Sequence, residues 1–138
     1  MRLWETRILP YLPNSQLLSQ WRECNSIFKN EPKHILINYV YEYDKVHLLA
    51  YTLILLTELE TRDIHIKNMD NFNEYFKYTR LLNVKDLNNF KPFPNHHTNR
   101  YLLQNFYNLQ EKFDRGQLDF GLEQYQKLER FIKKELKL

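Results

Sequence analysis

Apolar residues in this chain recur mainly at helical spacing. Leu17, Trp21, Cys24 and Phe28 lie three or four residues apart and form one stripe of a helix predicted over residues 15–28, with Asn14 as its N-cap. Arg22 and Glu23 fall on the opposite side of that helix, open to a partner. Residues 45–62 are the most apolar segment, with Asp44 in front as a cap. Val46, Leu48, Leu49, Leu53, Leu55, Leu56 and Leu59 wrap much of its circumference, which predicts a central helix buried on several sides. Tyr101, Leu102, Phe106, Leu109 and Phe113 predict a further helix that starts near Thr98 and stops at Gly116. Leu122, Tyr125, Leu128, Ile132 and Leu136 predict a last one, starting after Asp119.

The remaining stretches lack that period. Pro10 and Pro13 exclude a helix running through residues 1–13. That arm is expected to be extended or turn-like and pinned by Leu3, Trp4, Ile8, Leu9, Tyr11 and Leu12. Residues 29–33 form a polar break closed by Pro32, and residues 35–41 have strand-like composition but no evident partner strand. A short helix or an extended connector is equally consistent there. Between residues 63 and 94 the pattern weakens to an irregular cover or a ligand-facing loop, with one helix near residues 71–82. Without repeat, linker or low-complexity tract, residues 1–138 read as a single compact all-α domain, its extended N-terminal arm packed beside the first helix.

Composition narrows the chemistry. Glycine occurs only at Gly116 and Gly121, which leaves little room for a glycine-rich phosphate loop. Aromatic residues make up 15%, ten of them tyrosine, which suits stacking surfaces as well as cores. A net charge of +3 permits an acidic partner without demanding one. Cys24 is the single cysteine, so neither an internal disulfide nor a cysteine metal cluster is possible, and its place on the apolar stripe makes it a small buried hydrophobe. The N-terminus lacks the apolar core of a signal peptide, and the longest apolar run, residues 53–56, is too short to span a bilayer. The expectation is a soluble cytoplasmic monomer with no membrane contact.

His34, His47, His65, His96 and His97 show no HExxH spacing, and His47 reads as a core or boundary residue rather than a metal ligand. Walker, dinucleotide and GxSxG motifs are also missing. Lys133, Lys134 and Lys137 complement the dipole of the last helix or face phosphates. Three classes remain: a helical interaction module, a nucleic-acid binder, or an enzyme whose nucleophile is not a side chain.

Several short strings bear on that choice: Met1-Arg2-Leu3-Trp4, Leu12-Pro13, Gln16-Leu17-Leu18, Trp21-Arg22-Glu23, Phe28, Lys33-His34 and Tyr43-Asp44-Lys45 leading to Arg62. In order and spacing they resemble the pyrimidine dimer DNA glycosylase family, the phage-type endonuclease V group, and within it a bacterial branch that opens MRLW. The likeness is good over residues 1–66, patchy to 112 and poor beyond.

The resemblance implies a helical enzyme without metal or cofactor that acts on double-stranded DNA carrying a damaged base or an abasic site. It implies that the α-amine of Met1 is the nucleophile and Glu23 the acid/base. Arg2 and Arg22 would clamp phosphates, with Lys33 and His34 as further backbone contacts. An α-amine titrates near 7.7–8.0 and a lysine near 10.4, so its neutral, nucleophilic fraction at neutral pH is a few-hundred-fold larger. Three features differ from the phage-type pattern. Arg2 follows Met1 directly and blocks methionine removal, Ser26 stands where an arginine is expected, and an aromatic-basic tail gives way to a helix ending KKELKL. The alternative is a non-catalytic helical DNA-binding or protein-interaction domain on the same scaffold.

Overall fold

The computed structural model describes residues 1–81 and 89–138. Among them are five α-helices, two 3-10 helices and no strand. The α-helices are α1 (Asn14–Asn30), α2 (Lys45–Thr61), α3 (Asp70–Tyr75), α4 (Asn99–Asp114) and α5 (Leu122–Leu136). The fold is all-α, and one hydrophobic cluster runs from Leu3 to Ile132.

The predicted stripe of α1 is buried throughout, and Ile27 joins it. Helix α2 is the central one. Leu48, Leu49, Ala50, Tyr51 and Thr52 are buried in succession, so no single face points to solvent over that turn and a half. Asp44 caps it, accepting from the Val46 N–H at 2.9 Å. Helix α4 starts behind Thr98, whose hydroxyl accepts from the Tyr101 N–H, and the chain leaves it through Gly116 at φ +82°.

Several expectations change. Residues 38–42 form a short 3-10 helix after a turn, which settles the strand-or-helix alternative. Helix α3 ends at Tyr75, well before residue 82, and Leu82 itself lies outside the described residues. Leu122 is exposed, because α5 turns Tyr125, Leu128 and Ile132 inward and leaves its first residue outside. The N-cap of α1 is Pro13, with Asn14 the first helical residue. The Asn14 side chain accepts from Arg62 at 2.9 Å, and Asp119, 104 residues away, accepts from both the N–H and the hydroxyl of Ser15. Asp119 therefore caps α1 from a distance rather than opening α5. Against the opposing effect of burial, hydrogen bonds from Gln117 and Ser15 hold its carboxyl below its ordinary range.

The N-terminal arm is turn-like and anchored by its apolar side chains, as expected. Residues 1–5 are irregular, but Thr6–Tyr11 is a 3-10 helix that includes Pro10. A proline ring clashes with the carbonyl four residues back in an α-helix, and the tighter 3-10 turn avoids that geometry. This short helix touches α2, α4 and α5. Leu3, Ile8, Leu9 and Leu12 are fully buried, each contributing roughly 1.5–3 kcal/mol of transfer free energy. Arg62, at the end of α2, closes the arm by donating to the carbonyls of Pro10 at 3.0 Å and Leu12 at 2.7 Å.

Candidate active site

The arm has no strand partner, so its backbone polar groups need other partners once buried. Side chains from three helices and one turn supply them. From α1, Gln20 accepts from the Trp4 N–H at 2.6 Å and donates to the Arg2 carbonyl at 3.0 Å. From α2, the Tyr51 hydroxyl donates to the Trp4 carbonyl at 2.7 Å. From α4, Tyr101 donates to the Leu3 carbonyl at 2.6 Å and Asn105 accepts from the Glu5 N–H at 2.6 Å. His97, just before α4, accepts from the Thr6 N–H at 3.1 Å. These bonds fix the path of residues 2–6.

The His97 tautomer follows from its partners. Because Nδ1 accepts from a backbone N–H, the ring proton sits on Nε2, which donates to the Tyr39 hydroxyl at 2.8 Å. Burial, with His96 and Arg7 nearby, pushes its pKa down to about 3 and keeps the ring neutral. Burial also raises the Tyr101 phenol, opposed by Asn105 and by the Arg2 guanidinium beside it. Glu5, only 2% exposed, caps the 3-10 helix and pairs with Arg7 at 3.0 Å. Burial raises its carboxyl, and Arg7 opposes that rise.

The fixed arm brings Arg2 to Glu23. The Arg2 N–H donates to Glu23 Oε2 at 3.2 Å, across 21 residues of sequence. Successive backbone nitrogens lie at most roughly 3.7 Å apart, so the Met1 α-amine is within about 7 Å of that oxygen. The side chain of Glu23 is half-buried and turned to the arm, not directed at solvent as its helix position suggests. The Arg2 guanidinium lies over the Trp4 ring, 5.5 Å from its centre. Arg22 is exposed on the outer face of α1, beside Glu23.

Lys33 and His34 are not part of this cluster. They are exposed in the turn beyond α1, whose last residue, Asn30, is about 10 Å along the axis from Glu23. Tyr41 donates to the Pro32 carbonyl at 2.6 Å and Tyr75 to Glu31 at 2.8 Å, which holds that turn against the body. His34 Nδ1 accepts from the Leu36 N–H at 3.2 Å.

The other histidines have structural surroundings. His47 is half-buried and accepts from the Phe93 N–H, with its pKa lowered by burial. His96 is exposed and stacks on Tyr39 at 4.5 Å, the same ring whose hydroxyl meets the buried His97. No group of three or more His, Cys, Asp or Glu is placed to hold a metal ion among the described residues. No described helix is long and apolar enough to cross a membrane. A cavity of about 350 Å³ is lined by Glu5, Thr6, Arg7, Phe90 and His97 rather than by Met1 or Glu23.

Sequence patterns gave no role at the site to Gln20, Tyr51, His97 or Asn105, and placed Tyr101 only on the apolar stripe of its helix. The one signal was Gln20, a turn before Glu23, but polar residues are common on helices and its burial depends on the whole fold.

No curated protein and no solved structure matches this chain. Residues 1–72, just over half of the chain, match a family model described as pyrimidine dimer DNA glycosylase. That span holds all six residues singled out in the sequence, Met1, Arg2, Arg22, Glu23, Lys33 and His34, but not the α4 side of the clamp. The chain belongs to the pyrimidine dimer DNA glycosylase family.

Proposed function

We propose that residues 1–138 act as one unit, a DNA repair glycosylase with abasic-site lyase activity whose nucleophile is the Met1 α-amine. The observation that carries this reading is the arm: side-chain hydrogen bonds to residues 2–6 hold the N-terminus beside Glu23. An unanchored terminus would fray. The nitrogen lone pair attacks C1′ of the damaged nucleotide, and the bond from C1′ to the base breaks as the base leaves with a proton. Opening of the sugar ring, with a proton delivered to its oxygen, leaves an imine between Met1 and C1′. Glu23 then removes a proton from C2′, and the electron pair expels the 3′ phosphate, which cuts the strand.

Arg2 and Arg22 flank this site and bind the phosphates on either side of the lesion. Lys33 and His34, further along, take a more distant stretch of backbone. The target nucleotide reaches the amine by leaving the base stack.

Borohydride reduction of an abasic-site duplex mixed with the chain, its first residue untagged, tests the reading. The expected result is a covalent adduct that peptide mapping assigns to Met1. No adduct, with DNA binding retained, would leave the non-catalytic DNA-binding domain as the better reading.

A further inference from the structure

We propose that Gln20 is a positioning residue of this site, one that sets the N-terminal arm and the Glu23 carboxylate in register with each other. The proposal rests on the glycosylase-lyase reading above. Gln20 is only 1% exposed, and a primary amide in such a place is costly unless its two donors and two acceptor positions are used. Its Oε1 accepts from the Trp4 N–H at 2.6 Å and from Tyr51 at 3.0 Å. Its Nε2 donates to the Arg2 carbonyl at 3.0 Å and to Glu23 Oε2 at 3.3 Å. Chemistry fixes the orientation of the amide, since Trp4 N–H can only donate and the Arg2 carbonyl can only accept.

The second amide N–H finds its partner in the Glu23 carboxylate rather than in a backbone carbonyl. That bond falls on the same carboxylate oxygen that accepts from the Arg2 N–H. Glu23 is thus held through Oε2 by two donors, one from α1 and one from the arm, which leaves Oε1 to exchange protons with the substrate. Tyr51 acts behind Gln20, its single proton lying between Trp4 O and Gln20 Oε1. The chain of contacts runs from α2 through Gln20 to the acid/base.

The test is single-turnover cleavage of an abasic-site duplex by the full chain with a free N-terminus, read against pH. Gln20→Glu keeps the size and the acceptor toward Trp4 and Tyr51 but sets an acceptor against the Arg2 carbonyl and a second carboxylate against Glu23. Cleavage at pH 7 is expected to fall at least tenfold, with duplex affinity within about threefold of the original. The pH of half-maximal cleavage should rise by about one unit, because neighbouring carboxylates disfavour each other's ionisation. Tyr51→Phe adds no charge; it should slow cleavage about threefold or more and leave the pH profile in place.

An unchanged rate and profile in Gln20→Glu would overturn the proposal. So would losses in both variants that merely follow duplex affinity. If Gln20→Glu does not fold, a full wild-type rate in Tyr51→Phe overturns it instead. Should the original chain form no borohydride adduct, the lyase reading fails. Carboxyl-carbon NMR titration of Glu23 without DNA then decides the coupling alone, with the same one-unit rise expected in Gln20→Glu.

Discussion

His97 gives the most direct test of how the arm is held. The native ring stays neutral down to about pH 3, whereas a histidine in an unfolded chain takes a proton near 6.5. Between those values the unfolded state binds one proton more than the native state. Stability is therefore complete above pH 6.5 and falls as pH drops towards 3, at about 1.4 kcal/mol per unit. From pH 7.5 to 4.5 the loss from this one residue is about 2.7 kcal/mol. A proton on Nδ1 would also set a donor against the Thr6 N–H and release the arm there. His97→Gln is the control, because an amide can still accept from Thr6 and donate to Tyr39 but does not titrate. Urea unfolding of both proteins from pH 7.5 to 4.5 isolates the contribution of His97, since Glu5 and His47 titrate in both. The stability difference between the two proteins should shift by about 2.7 kcal/mol in favour of His97→Gln as the pH falls. Parallel curves would refute the assignment of a neutral, arm-holding imidazole.

Three other outcomes are expected. Asp119→Ala removes the distant cap of α1 and should cost about 1 kcal/mol in urea unfolding at pH 7. Because its carboxyl is lowered in the fold, that contribution is present above the unfolded value and vanishes in wild-type protein as pH falls through the folded one. Arg22→Ala should weaken duplex binding for damaged and undamaged DNA alike and reduce the slope of log affinity against log salt by about one. Glu23→Gln should slow strand cleavage by about 10²-fold or more in single-turnover assays while duplex affinity stays within a few fold.

The helices were legible because apolar spacing records which face is buried, and α1, α2, α4 and α5 follow that record. Caps were harder. Asn14 has the right chemistry, yet Arg62 takes its side chain and Asp119 takes over the helix end, a substitution that depends on contacts from distant parts of the chain. For the arm, Pro10 excluded an α-helix and left extended or turn-like backbone open, and the choice of a 3-10 turn depends on its burial against α2, α4 and α5. At the site, Arg2, Arg22 and Glu23 stood out only through the resemblance. Their supports did not stand out at all, since Gln20, Tyr51, Tyr101 and Asn105 belong to residue types that are as common on surfaces as inside. What marks them is burial beside a backbone with unmet hydrogen bonds, a tertiary property.

The clamp on the arm also sets an order of events during synthesis. Leu3, Glu5 and Thr6 are made well ahead of their partners Tyr101, Asn105 and His97, which come 98, 100 and 91 residues later. A ribosome adding about 5–20 residues per second needs roughly 5–20 s to supply them. Helices α1 and α2 can meet during that interval, yet the arm cannot take its final seat. The contact of the Arg2 N–H with Glu23 is therefore locked from both sides only after residue 105 has emerged. Circular permutation that brings residues 97–105 ahead of the arm would reverse this order.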